Sequence, residues 1–455
     1  MQSENGNGRG NELRRLFPWS EIFRAFQVAL DPSKLLLATV AVVVLWLGWF
    51  VLGLIFSQSA SYSVWPTNVT RGKSPFAIVS VVSDDLFTKK FWLGGDNQAP
   101  PIQLEVFKNF FGPVMDLVNS TPRDGQWWYS LFGLLYTLAV WAIFGGAITR
   151  IAAVQLARRE KIGMIDALRF AQKKFTAYFS APLIPLGGIA FLAVLLVLGS
   201  LLLHIPLLGD ILVGLVFFLP LIAGFIMALL VIGFIGWPLM YATISAEGTD
   251  SFDALSRCYA YVYQKPWHYI LYSLIALVYG VLVVFFMIFI ASFAVTLIRW
   301  GMELVPWFDW RGEPVNSLFV YAPVSYEWRL RLTGGKSELE LARLVQQMAW
   351  YQSFAALLVG LWLNLIFLFV IGFGYSFFWV AGTAIYFLLR KVTDDTDLDE
   401  VYLEEEDEAM PFAPPPADAP TLPMTSPMSD SPGTLPARED ATPPAGAETA
   451  PPPPT

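Results

Sequence analysis

Six long apolar runs, separated by polar or charged segments, dominate the pattern along the chain. They are Leu35–Phe56, Trp128–Thr149, Phe179–Leu203, Ile211–Trp237, Tyr269–Ile298 and Phe354–Leu389. An α-helix rises about 1.5 Å per residue, so roughly 20 apolar residues cross a ~30 Å hydrocarbon core. Each run is therefore read as one transmembrane helix. The last run would make a straight helix of roughly 54 Å, longer than a bilayer with its headgroups. Gly372 and Gly374 lie near its middle and no polar turn divides it. The pattern predicts one helix with a break near Gly372, two short spans being the alternative. The expected fold class is an all-α polytopic membrane protein with about six transmembrane helices, amphipathic interfacial helices, two external loops and a disordered C-terminal tail.

Shorter periodic stretches lie between the runs. Residues 1–34 form a polar, basic N-terminal segment that does not read as a signal peptide. Within it Trp19, Ile22, Phe23, Phe26 and Leu30 recur at helical spacing, which predicts an amphipathic helix lying in the membrane interface. A helix that binds a partner is the alternative. Asp31-Pro32 ends it, because proline disfavours helix at the residue before it. Span one is 35–56. Residues 57–126 read as an external loop with a strand at Phe76–Val82 and an amphipathic stretch at Ile102–Val118. Residues 127–298 hold spans two to five. Residues 299–352 form a second external loop in which Trp300, Trp307, Trp310, Tyr321, Tyr326 and Trp328 suit an interfacial aromatic belt. The long sixth helix covers 353–391, and 392–455 is the tail.

An internal similarity links two connections. Lys161–Lys174 and Gly248–Tyr261 align at an offset of 87, with Asp166-Ala167-Leu168 on Asp253-Ala254-Leu255 and Glu160 on Glu247. Each copy sits between two spans on the same side of the membrane. The expected unit is span, in-plane helix, span, repeated in parallel orientation. Chance similarity in an Ala/Leu-rich chain is the competing reading.

Composition narrows the function classes. Hydrophobic residues make up 55% of the 455 and charged residues 15%, against about 25% charge in soluble domains, which excludes an ordinary soluble enzyme. The net charge of -8 is local. Ten acids fall within Asp394–Glu408, followed by fifteen prolines in the last 47 residues. Such a segment buries too little apolar surface to offset its ordering entropy, so the tail is expected to be disordered. No basic patch of the nucleic-acid type is present, and no nucleic-acid partner is expected. One cysteine, Cys258, and two histidines, His204 and His268, leave no metal set, and no cofactor is expected. Walker, G-x-S-x-G and H-E-x-x-H motifs are missing, and no catalytic activity is expected.

Charge also predicts orientation. Arg9, Arg14, Arg15, Arg24 and Lys34 precede span one, and a basic group follows span two, whereas the connection His204–Asp210 carries no Lys or Arg. The positive-inside rule then puts both termini in the cytoplasm of a multi-pass protein of the cell membrane. All 29 Lys and Arg lie outside the apolar runs, which weakens the case for a coupled ion pump. Asn364, Thr137, Ser200, Ser273 and Thr296 are polar candidates within the runs, and helix or backbone hydrogen bonding is expected of each.

Ser251–Leu277 contains Asp253, Ala254, Leu255 and Arg257 on an amphipathic helix followed by a span. This stretch resembles uncharacterised bacterial six-helix integral membrane proteins, which are similar to the membrane domain attached to some glycerophosphodiesterases. The resemblance implies a six-helix arrangement. It brings no catalytic residues, since no phosphodiesterase domain is present here.

By elimination, the expected function is a non-catalytic membrane scaffold or lipid-associated factor. A transporter or channel for a neutral or lipid-like substrate is the alternative. The candidate site for anionic lipid is Arg158, Arg159, Lys161, Arg169, Lys173 and Lys174, where each basic residue near a membrane surface contributes about 1 kcal/mol. Membrane lipids are the expected partners, with other membrane proteins engaged through the external loops or the tail. The acidic block would compete with headgroups for the basic cluster.

Overall fold

The computed structural model describes residues 18–56, 112–115, 117–119, 125–205, 208–304, 314–322, 332–335, 338–397 and 400–402. The strand expected at Phe76–Val82, most of the stretch Ile102–Val118 and the tail beyond Tyr402 lie outside the described residues. Among those described there is no strand, and the protein is an all-α polytopic membrane protein.

A short 3-10 turn, Pro18–Phe23, leads into α1 (Arg24–Ala29). Asp31 then starts α2 (Pro32–Ile55): its carboxylate accepts the Ser33 N–H at 3.0 Å, and Pro32 takes the first helical position, where no N–H is needed. α3 (Gly125–Ala157) returns. The in-plane helix α4 (Met164–Lys173) and α5 (Phe175–Ser200) follow. After α6 (Leu208–Leu215) come α7 (Phe218–Phe234) and α8 (Trp237–Glu247). Next are the in-plane α9 (Ser251–Gln264) and α10 (Pro266–Glu303). Short helices α11 (Pro314–Leu318) and α12 (Glu338–Gln347) precede α13 (Trp350–Asp394). Five helices are long and apolar enough to span, or six if the bent pair α7–α8 is one span.

The fourth run needs correction. Ile211–Trp237 is not one continuous helix. It breaks before α7, and α7 and α8 meet at 58°. Proline explains both breaks. Pro220 and Pro238 sit in the first turns of α7 and α8, where a missing N–H costs nothing, and Pro238 cannot continue the ladder from α7. The carbonyls at this second break find side-chain donors from neighbouring helices. Tyr269 Oη donates to Ile235 O at 3.0 Å, and Cys258 Sγ to Gly236 O at 3.0 Å. One turn upstream, Tyr259 Oη reaches Leu230 O at 2.7 Å. The break is thus built into the bundle, since an unpaired carbonyl in hydrocarbon would cost several kcal/mol.

The sixth run is also corrected: α13 passes through Gly372 without interruption. A Cβ on Gly372 would lie 2.4 Å from Thr39 Oγ1 and 3.3 Å from Leu35 O. The glycine therefore lets α2 cross closely rather than bending α13. Every residue from Val370 to Arg390 is buried, while Phe354, Leu357, Leu361 and Trp362 of the first half are exposed. The second half is the centre of the bundle, contacted by α1, α2, α3, α8 and α10.

Trp379 lies at that centre. Its ring is 4.7 Å from Tyr241, 5.3 Å from Trp237 and 5.6 Å from Trp141. Tight packing is concentrated at the end of the bundle where Lys34, Arg150, Glu247 and Arg390 gather, here called the packed end. Towards the other end α5, α7, α10 and α13 expose Leu, Ile, Val and Phe, as lipid-facing helices do.

The N-terminal amphipathic segment does not lie free in the interface. Ile22, Ala25 and Ala29 are buried on the bundle, Phe23 packs on Tyr279 at 4.8 Å and Phe26 on Phe373 at 5.9 Å. Ser376 Oγ donates to Ala29 O at 2.9 Å. An apolar stripe fits lipid and protein equally well, so periodicity alone could not choose between them.

The two in-plane helices match at the offset of 87. Ala167 and Ala254 are fully buried, as are Ala171 and Cys258, while Ile165 and Phe252 are 67% and 69% exposed. Each helix lies between two crossings, α3 and α5 or α7–α8 and α10.

Candidate functional site

The packed end is held by polar side chains from several helices. Ser245, near the C-terminus of α8, is the first junction. Its hydroxyl lies 2.6 Å from Thr149 Oγ1 of α3 and 2.7 Å from Tyr178 Oη of α5, and its carbonyl accepts Arg150 Nη1 at 2.7 Å. The Arg150 guanidinium stacks 4.2 Å above the Phe170 ring of α4, a cation–π contact that suits its burial.

Glu247 is the second junction. Its carboxylate meets Arg257 of α9 at 2.8 Å, Tyr386 Oη at 2.5 Å and Arg390 at 3.6 Å. Burial alone would lower the Arg257 pKa, but the Glu247 and Asp253 carboxylates outweigh it and raise the value above that of a free guanidinium. Tyr261 Oη of α9 donates to Asp394 at the end of α13, which closes the corner between these helices.

Residues 400–402 lie across these junctions as a strap. Arg390 Nη1 donates to Glu400 O at 2.8 Å, Arg158 Nη2 to Val401 O at 3.3 Å, and the Tyr402 N–H to Ala246 O at 2.8 Å. Val401 is buried. Gly248 has φ 65°, and a Cβ there would lie 2.6 Å from the Tyr402 ring. Glycine is thus suited twice over, to the left-handed end of α8 and to the closeness of the strap.

A third group joins α2 to α3. Gln155 Nε2 donates to Asp31 at 2.7 Å, Lys34 Nζ donates to Gln155, and Lys34 lies 3.8 Å from Asp31. Burial on its own raises the Asp31 pKa, but the Gln155 amide, the Lys34 ammonium and the Ser33 N–H together hold it below the usual carboxylate range. Its contribution to stability is present above the unfolded value and is lost as pH falls through the lowered folded value.

The six basic residues of the candidate lipid site differ in exposure and bonding. Arg158 and Lys174 turn inward, Lys174 Nζ reaching Gly248 O at 2.5 Å. Arg159, Lys161, Arg169 and Lys173 are exposed, with Arg169 3.5 Å from Asp166. Of the polar positions inside the runs, Asn364, Ser200 and Thr296 bond to carbonyls three or four residues earlier in their own helices. Sequence reasoning treated Lys34 and Arg150 only as orientation signals and Asp31 only as a helix stop. It did not single out Ser245, Tyr178 or Tyr386. The available signal was polar residues at the ends of apolar runs, and it does not say which ends meet.

Beside the α7–α8 break lies a half-open apolar groove between α8, α10 and α13. About 80 Å³ of it admits a water-sized sphere. Pro238, Tyr269, Ser273, Phe377, Ala381 and Gly382 are among its walls. No protein-family model, no curated protein and no solved structure matches this chain.

Proposed function

We propose that the chain is a non-catalytic, lipid-associated scaffold of a bacterial cell membrane, crossing it six times with both termini in the cytoplasm. One observation carries this reading. Lys34, Arg150 and Arg390, the buried cations of the packed end, are spent on holding helices and the strap together, while the outer surfaces of the spans are apolar. A coupled transporter would instead place ionisable groups along a path through the bilayer. The exposed Arg159, Lys161, Arg169 and Lys173 then meet anionic headgroups at the inner surface.

The break beside the groove favours a second reading, a transporter for a neutral or lipid-like substrate, since broken helices recur at transport sites. Reconstitution separates the two. Proteoliposomes are expected to show no protein-dependent flux of neutral solutes or of fluorescent phospholipid between leaflets, and the purified protein is expected to carry phospholipid. Flux of either probe would overturn the scaffold reading.

The orientation rests on the Lys/Arg distribution. Alkaline phosphatase fused after Gly209 is expected to be active in intact cells, and the same enzyme fused after Glu408 to be inactive. An active fusion after Glu408 would put the two ends of the chain on opposite sides.

A further inference from the structure

The groove beside the helix break has a built opening towards the bilayer. Its wall on α10 includes Tyr269, Ser273 and Leu277. The next residue in each case, Ile270, Leu274 and Val278, is 53 to 55% exposed. One residue turns an α-helix by about 100°, so the groove wall and this exposed stripe are neighbouring faces of one helix. α10 is a span, so the stripe faces hydrocarbon, and the groove opens sideways onto it. Trp267, 79% exposed, lies just before the groove and suits the membrane interface. From there the groove runs inward for about eight residues, or roughly 12 Å.

Water is a poor occupant of such a place, because the lining is mostly apolar. The Tyr269 hydroxyl is already engaged, donating to Ile235 O at 3.0 Å. A water needs two to four polar partners and about 10–15 Å³ of such space. Its mostly carbon walls suit an apolar chain instead. Lys265 and Lys391 lie within about one turn of the Tyr261–Asp394 hydrogen bond, which puts cationic side chains near the headgroup end.

Resting on the lipid-associated reading above, we propose that this groove holds one acyl chain of a membrane phospholipid, drawn in sideways from the bilayer, with its phosphate at the Lys265–Lys391 corner. Lipid tails and protein side chains are equally apolar, so hydrophobicity gives little preference for the groove. Retention comes from the contacts that an empty groove would forgo and from the charge of the headgroup.

Photolabelling tests this. The full chain is reconstituted in vesicles of phosphatidylethanolamine and phosphatidylglycerol containing phosphatidylglycerol with a diazirine midway along one chain. Adducts are mapped by mass spectrometry. Labelling is expected to be several-fold higher on residues 269–277 and 377–385 than on the exposed residues Phe289, Ile290, Phe293, Leu297 and Ile298. Ser273→Phe and Ala381→Leu, which fill the groove from opposite walls, are expected to remove the excess, whereas Leu297→Phe on the lipid face leaves it. Uniform labelling of the wild-type protein would overturn the proposal, as would excess labelling that survives both filling variants. The wild-type comparison decides the matter even if a filled variant fails to fold. Uniform labelling leaves the scaffold reading intact, while solute or lipid flux would overturn that reading whatever the labelling pattern.

Discussion

Glu247→Leu is expected to destabilise the packed end by about 3–5 kcal/mol, the usual consequence of removing one partner from a buried ion pair. The carboxylate is 11% exposed and joins Arg257, Arg390 and Tyr386, which come from two helices. Leucine restores the volume but leaves Arg390, itself 10% exposed, with Glu400 as its one acidic partner among the described residues, at 3.4 Å. The strap depends on the same arginine, so cleavage near residues 396–402 by added protease should accelerate in parallel. Melting in detergent, followed by tryptophan fluorescence, reads the stability. Glu247→Gln keeps an acceptor for Tyr386 and should lie between the two. A wild-type midpoint for Glu247→Leu would mean that the junction contributes nothing to the fold.

Trp379→Ala is expected to cost about 3–5 kcal/mol, in the range of large-to-small substitutions in close-packed cores. Its ring contacts the rings of Trp141, Trp237 and Tyr241, and it has no exposed surface. Inside a membrane the loss is one of packing rather than of hydration, because the cavity left behind has no partner atoms. Trp362 supplies the control. It lies on the same helix but is 63% exposed, and its replacement by alanine should change stability by no more than about 0.5 kcal/mol. Similar losses for the two variants would contradict the division of α13 into a lipid-facing half and a buried half.

The two variants probe interactions of different visibility in the sequence. Trp379 belongs to an apolar run, so its membership of a span was legible. Its burial was not, because Trp362 reads the same way. Glu247 was noticed only as the partner of Glu160 in the internal similarity. That it meets Arg390, 143 positions further along the chain, depends on α13 passing beside α8. The basic cluster illustrates the converse. Of six charges close in sequence, Arg158 is recruited to the strap and Lys174 to Gly248.

The sequence by itself determined the long apolar helices, the amphipathic helices between them and the absence of charge from the middle of the apolar runs. Hydrocarbon imposes these features one segment at a time: each crossing must satisfy its own backbone and present apolar side chains. The tertiary structure alone decided where α7–α8 bends, which half of α13 is enclosed and that the N-terminal helix packs on protein. It also decided that Asp31, Ser245 and Glu247 become junctions. The physical reason is that lipid and protein interior are equally apolar, so the period of a span carries little contrast between its faces. Only the meeting of distant small, aromatic and polar residues distinguishes them.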